Sequence, residues 1–206
     1  MLFILIFGLL LRSHMFFHGD FSYLVDQSRD LLLAKSIVVD QKLTLIGART
    51  GIGGIFHGPL WIYLITPFFA LTNGHPFYTL VPLFLLVSLG TIIAGFFIGR
   101  QLYGKWTGFV FALLLAISAP LIHTVPSTTN AQVLPLVFLC YLFAIMRFLR
   151  GSEAAFILAL FCIGLGLQFE SAFAVLWIPL TLPTLRHTAI GAAAFLVTAR
   201  DYPPKK

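Results

Sequence analysis

The sequence predicts an all-α fold, a polytopic transmembrane helical bundle, on three observations. Of its 206 residues 59% are hydrophobic and 10% charged. Mean hydropathy is +0.98. The apolar residues also run on continuously instead of alternating. Lipid offers no partners to backbone N–H and C=O groups, so only helices or closed barrels span it, and barrel strands would alternate. The chain reads as a single transmembrane domain over residues 1–206. Within it, residues 12–56 form a first external loop and residues 57–199 the membrane helices. The loop is expected to carry an amphipathic surface helix, followed by a short re-entrant or tilted helix.

Residues 1–11 begin the first span, which extends toward Phe17 if Arg12 snorkels to the interface. The run has the apolar centre of a signal peptide but neither a basic start nor a cleavage site, so it is expected to be an uncleaved, shortened first span. Residues 18–56 are the longest hydrophilic section. In its first part, DQSRD, residues Asp26, Arg29 and Asp30 fall at i, i+3 and i+4 and share one helical face. Leu24, Val25, Leu31, Leu32, Val38 and Val39 gather opposite, which suits a helix lying on a membrane with its carboxylates aimed away from lipid. The second part holds Gly47, Gly51, Gly53, Gly54 and Gly58 and is expected to be a flexible loop. It has neither a Walker spacing nor a dinucleotide fingerprint.

Residues 56–71 are apolar but only about 24 Å long as a helix, against roughly 30 Å of hydrocarbon. This is the re-entrant or tilted element. Residues 77–99 and 106–122 are full spans, and residues 133–146 lead to the basic RFLRGSE. Residues 154–185 are too long for one crossing and are interrupted by Gln168, Glu170 and Ser171. They read as a helical hairpin with those polar residues at its tip. Residues 189–199 begin one more apolar element.

The thirteen Lys and Arg, behind a net charge of +6, are scattered at span ends. Membrane orientation requires that placement, and it forms no basic groove, so no nucleic-acid partner is expected. Arg100, Lys105, Arg147, Arg150 and Arg186 can share the cytoplasmic side. The opposite side then collects Asp26, His57, His123, Asn130, Gln168 and Glu170. Cys140 and Cys162 lie in apolar runs without CxxC spacing and act as small apolar residues. The remaining histidines (14, 18, 75, 123 and 187) share no ligand spacing. No metal site or certain cofactor is assigned, and a divalent cation is left possible only through Asp26 and Asp30.

DQSRD at residues 26–30, followed by LTLIGARTGIGGIFHGPLWIYL at residues 43–64, resembles the family-39-type polytopic membrane glycosyltransferases of the C superfamily. That group includes the protein O-mannosyltransferases and the lipid A aminoarabinose transferases. GRQLYGKWTG and GLGLQFESA fit the same order, and the resemblance covers most of residues 12–185. It implies a polyprenyl-phosphate sugar donor, a lipid, glycan or protein acceptor, and transfer on the external side of a bacterial plasma (inner) membrane. It also implies an acidic residue after the first span that takes or positions the acceptor proton. That role falls to Asp26, with Asp20 as the competing position and Arg29 as helper.

Asp30, His57, Asn130, Gln168 and Glu170 are the expected substrate contacts. Where relatives show a WNPN-like run this chain has TNAQ at residues 129–132, and their Gln-x-His is Gln168-Phe169-Glu170 here. Relatives are also much longer, so the chain is expected to correspond to an N-terminal half. A non-catalytic truncated membrane fragment and a small transporter are the other classes, although a transporter often shows internal repeats and none is evident.

Overall fold

A computed structural model describes residues 1–17, 21, 23–50, 53–123 and 128–178. Asp20, His18, His187, the second leg of the expected hairpin beyond residue 178, and residues 189–199 lie outside the described residues. Eight α-helices follow in chain order among the described residues: α1 (Leu2–Phe17), α2 (Val25–Val38), α3 (Leu60–Leu71), α4 (Pro76–Tyr103), α5 (Lys105–Ala116), α6 (Ala119–His123), α7 (Leu134–Leu149) and α8 (Glu153–Phe169). Single 3-10 segments at Asn130–Val133 and Ser171–Leu176 flank α7 and α8. No strand occurs among the described residues, and the protein is an all-α membrane protein.

Among the described residues two stretches are long and apolar enough to cross a bilayer, Pro76–Tyr103 and Asn130–Leu149. Pro76 starts α4 where its missing N–H costs nothing. Gly104, at φ +92°, reverses the chain into α5. Residues 106–122, expected to be one span, are two helices, because Pro120 disfavours helical geometry just before it and α5 stops at Ala116. Helix α8 ends at Phe169, where the tip of the hairpin is expected. Glu170 leaves the helix in an extended conformation, and residues 171–176 turn back with Phe173 packed on Gly166. Helix α3 has 12 residues, about 18 Å of rise, well short of a crossing.

One core unites the cleft-side elements: Leu31 and Ala34 of α2, Trp61, Ile62 and Ile65 of α3, Leu80 and Leu83 of α4, Tyr141 of α7 and Ile163 of α8. The surface-helix expectation needs correction here. Helix α2 buries Gln27, Asp30, Leu31 and Ala34, while Val25 and Leu32 are 83% and 65% exposed. Asp30 therefore points into the protein, where it finds hydrogen-bond donors, and the apolar edge of α2 is left for lipid.

Arg12 does not snorkel. Its side chain is 1% exposed. The guanidinium donates to Gly8 O (3.0 Å), Ala116 O (2.9 Å), Leu115 O (3.1 Å) and Ser88 Oγ. The two α5 carbonyls lie in the last turn before the break, where helical partners run out. Arg12 thus fastens α1 to α4 and to the end of α5. Arg12→Ala should strip buried carbonyls of their donor, at about 1–3 kcal/mol for each left unmet. Thermal unfolding in detergent should show the loss, and an unchanged midpoint would mean that the clamp carries no stability.

At the far end of the bundle, Arg150 Nη2 donates to Gln101 O at 3.3 Å, so the basic ends of α4 and α7 meet. Asn130, before α7, and Glu170, after α8, stand at the opposite end of those helices.

Candidate functional site

Residues 47–50 and 53–57 are not a featureless loop. Gly47 N donates to His57 O (3.0 Å), His57 N to Ala48 O (2.8 Å) and Thr50 N to Ile55 O (3.0 Å), around an isolated antiparallel bridge between Arg49 and Phe56. This is a short hairpin, and Gly47 is fixed by close approach. A Cβ there would overlap the carbonyl of Gly58. Backbone proximity, more than flexibility, accounts for that glycine. Tyr63 Oη donates to Thr44 O at 2.8 Å and ties the hairpin's approach to α3.

The hairpin faces α2, the 3-10 turn at Asn130 and the end of α8 across a polar cleft of about 270 Å³. Asp26 and Arg29 line it from α2, and Arg49, Thr50 and His57 from the hairpin. Thr129, Asn130 and Ala131 line it from the turn, and Glu170 from α8. Five residues chosen from the sequence (Asp26, Arg29, His57, Asn130 and Glu170) therefore meet in one place although 144 positions separate the first from the last.

The remaining expected residues stand elsewhere. Asp30 is 1% exposed and lies behind the cleft. Its Oδ2 accepts from Trp61 Nε1 (2.8 Å), and its Oδ1 from Arg29 Nε (3.0 Å) and Nη2 (2.9 Å). Burial raises its carboxyl above the ordinary range, opposed by the Arg29 charge and by the hydrogen bonds from Arg29 and Trp61. Gln168 packs its amide over Gly58, beside His57, and is not part of the lining.

The Asp26–Asp30 pair does not form a cation site. Both Asp30 oxygens and Oδ1 of Asp26 accept from N–H donors, and Arg29 stands between the two carboxylates. Among the described residues no group of three or more His, Cys, Asp or Glu is placed to hold a metal.

Arg29 joins Asp26 at 2.9 Å and Asp30 at 2.9 Å, so its charge is already matched. Arg49 was not singled out from the sequence. Its guanidinium forms no ion pair among the described residues, which leaves it as the cleft's unmatched cation. A basic residue ahead of a glycine turn was the available signal, and the hairpin alone shows where it points. Asn130 Nδ2 donates to Phe169 O and locks the turn before α7 to the end of α8.

Two further cavities adjoin the cleft. An apolar groove of about 490 Å³ runs between Leu134 and Phe138 of α7 and Phe173 and Leu176, sharing Ala131 with the cleft. On the other side of the Thr129–Ala131 segment lies a cavity of about 270 Å³ among Phe84, Ser88, Thr91, Leu121 and Gln132.

The model of the dolichyl-phosphate-mannose-protein mannosyltransferase family matches residues 56–196. This takes in His57, Asn130, Gln168 and Glu170 but not α2 or residues 47–50 of the hairpin. No curated protein and no solved structure matches the chain.

Gly47→Ala should push residues 47–50 off residues 55–58 and displace Arg49 and His57. The expected readout is faster amide exchange across the hairpin with the spans unaffected, whereas unchanged exchange would contradict the close approach. Asp30 supplies a pH test. Because its native pKa is raised, its contribution to stability is full below the ordinary carboxyl value and is lost as pH rises through the native one. The stability of the natural protein relative to Asp30→Asn should therefore fall from acid to neutral pH in detergent unfolding. A rising difference would reverse the assignment.

Proposed function

The chain belongs to the dolichyl-phosphate-mannose-protein mannosyltransferase family, and we propose that its cleft transfers a sugar from a polyprenyl-phosphate donor to an acceptor hydroxyl or amine outside a bacterial plasma membrane. The observation that carries the reading is the junction of a charged cleft with an apolar groove at Ala131. A polyprenyl-phosphate sugar has that same division, with a long apolar tail and a doubly polar head. The tail lies along Leu134, Phe138, Phe173 and Leu176, and the phosphate enters the cleft.

In the reaction, the acceptor oxygen or nitrogen attacks the anomeric carbon as the bond from that carbon to the phosphate oxygen breaks. The acceptor proton passes to a base, and the leaving group departs as polyprenyl phosphate. Asp26 takes the proton. Its side chain is 57% exposed, and Oδ1 is held at 2.9 Å by Arg29, which aims the carboxylate while leaving Oδ2 for the acceptor. Arg29 is thus a positioning residue, and the charge that meets the departing phosphate is that of Arg49, with His57 beside it. Asn130 and Glu170 close the wall opposite α2 and contact the substrates. Asp30 supports the site through Arg29, and Gln168 through Gly58. Asp20 remains the competing base.

Sidedness follows from charge. Arg100, Lys105, Arg147 and Arg150 lie at the end of α4 and α7 away from the cleft, and Lys and Arg are retained on the cytoplasmic side. The cleft then opens outward. A transporter is less well supported, since the charged residues that line the cleft stand at one end of α7 and α8 and the sequence shows no evident internal repeat.

A transfer assay with labelled polyprenyl-phosphate sugars, in membranes containing the chain, tests the reading. Asp26→Asn should lower turnover by about 10²–10⁴-fold, the usual reach of a general base. Arg49→Ala should lower turnover with Arg49→Lys restoring part of it. Equal turnover in Asp26→Asn and the natural protein would remove Asp26 from the mechanism.

A further inference from the structure

Two carboxylates line the cleft, Asp26 and Glu170, and they differ in what surrounds them. Asp26 Oδ1 accepts from Arg29 at 2.9 Å, and that guanidinium is shared with the buried Asp30. Glu170 has no such partner. It is half-buried, and among the described residues it forms no ion pair. The hydroxyl of Ser171 stands 3.4 Å from Oε1, a long contact with a neutral donor that leaves the charge unmatched.

The backbone fixes Glu170 at the cleft wall. Its N–H donates to Gly166 O at 2.9 Å, and its carbonyl accepts from Phe173 N at 3.1 Å. The carbonyl of the preceding Phe169 accepts from Asn130 Nδ2. That bond also settles what Asn130 offers the cleft, since its amide oxygen is left as an acceptor. Glu170, the Asn130 oxygen and Asp26 Oδ2 are therefore all hydrogen-bond acceptors, and a charged N–H donor is the partner that suits them.

The cleft's own cations do not meet this demand during transfer. Arg29 is held by two carboxylates. Once the donor's phosphate engages Arg49, no lysine or arginine in the lining remains for Glu170. The phosphate itself adds negative charge. Both carboxylates line one cleft of about 270 Å³, so an acceptor that reaches Asp26 lies alongside Glu170.

We propose that Glu170 reads the charge of the acceptor: the cleft takes a hydroxyl flanked by ammonium groups, as in a lysine-containing peptide, and disfavours one flanked by carboxylates. Opposite charge across the cleft favours the first, and like charge rejects the second. This preference rests on the transfer proposed above, in which the hydroxyl oxygen bonds the anomeric carbon, its proton passes to Asp26 and polyprenyl phosphate departs. A protein acceptor already stands in the family's description, whereas the charge asked of it comes from Glu170 of this chain.

The test uses the full chain in phosphatidylcholine nanodiscs, whose headgroups carry no net charge and do not sort the peptides themselves. Labelled polyprenyl-phosphate hexose is the donor. The acceptors are three peptides of one length, each with a single central serine flanked by lysines, by glutamines or by glutamates. With the natural protein, kcat/KM should fall roughly tenfold from the lysine to the glutamine peptide and further to the glutamate peptide. The change should lie mainly in KM, because the charge contact is made before any bond changes. In Glu170→Gln the spread among the peptides should collapse, and in Glu170→Lys the order should reverse. Binding gives a second reading. With bare polyprenyl phosphate in the nanodiscs, a fluorescent lysine peptide should bind the natural protein roughly tenfold more tightly than Glu170→Gln. Equal kcat/KM for all three peptides with the natural protein would overturn the preference and leave the transfer standing. An equal loss for all three in Glu170→Gln would make Glu170 a support of the cleft wall and overturn its role as reader. Binding that depends on Glu170 without any transfer would sink the proposed reaction and leave the charge preference standing. Neither transfer nor binding would sink both.

Discussion

A buried carboxylate holds the functional end of this protein together. Asp30 accepts from the Trp61 indole and from two nitrogens of Arg29. Ion burial is costly, and the Arg29 and Trp61 donors offset part of that cost while burial still holds the carboxyl above the ordinary range. The consequence is geometric. With Asp30 pinned to α3, helix α2 cannot roll, and Arg29 is drawn between Asp30 and Asp26. The exposed carboxylate of Asp26 is thereby set at the mouth of the cleft. A residue that the i, i+3, i+4 pattern marks as a surface charge is instead the anchor for the one that stays at the surface.

The same economy appears elsewhere. Asn130 spends its amide N–H on the end of α8, Gln168 covers a glycine backbone, and Gly47 admits the carbonyl of Gly58. Each is polar or small for a structural reason, and each brings one wall of the cleft to another. Arg49, by contrast, lines the cleft without an ion pair among the described residues. Among these residues the geometry separates supports from the groups that line the cleft, Asp26 and Arg29 as a pair and Arg49 across from them.

Much of this was legible in the sequence, for physical reasons. Long apolar runs leave lipid-spanning helices as the available structure, so the fold class followed directly. The alternation of basic span ends assigns Asp26, His57, His123, Asn130, Gln168 and Glu170 to one side, and of these Asp26, His57, Asn130 and Glu170 line the cleft while His123 and Gln168 do not. Periodicity, however, cannot say which side of an amphipathic helix meets protein and which meets lipid. Both environments accept Leu32, while Arg29 and the indole of Trp61 together give the buried Asp30 its partners. The first span reaches Phe17 as the sequence allows, but without the snorkelling that was its condition: the carbonyls at the α5 break offer Arg12 a nearer partner. The break itself was announced by Pro120 and outweighed by the hydropathy around it.

Whether Asp30 truly grips α3 can be read from the indole protons. The chain has three tryptophans. Trp61 is 5% exposed, Trp177 44% and Trp106 82%. In protein with isotope-labelled tryptophan, held in detergent or nanodiscs, one indole N–H should exchange with deuterium far more slowly than the other two and should vanish in Trp61→Phe. Three indoles exchanging at one fast rate would mean that Asp30 and Trp61 are not joined, and the cleft as described would lose its foundation.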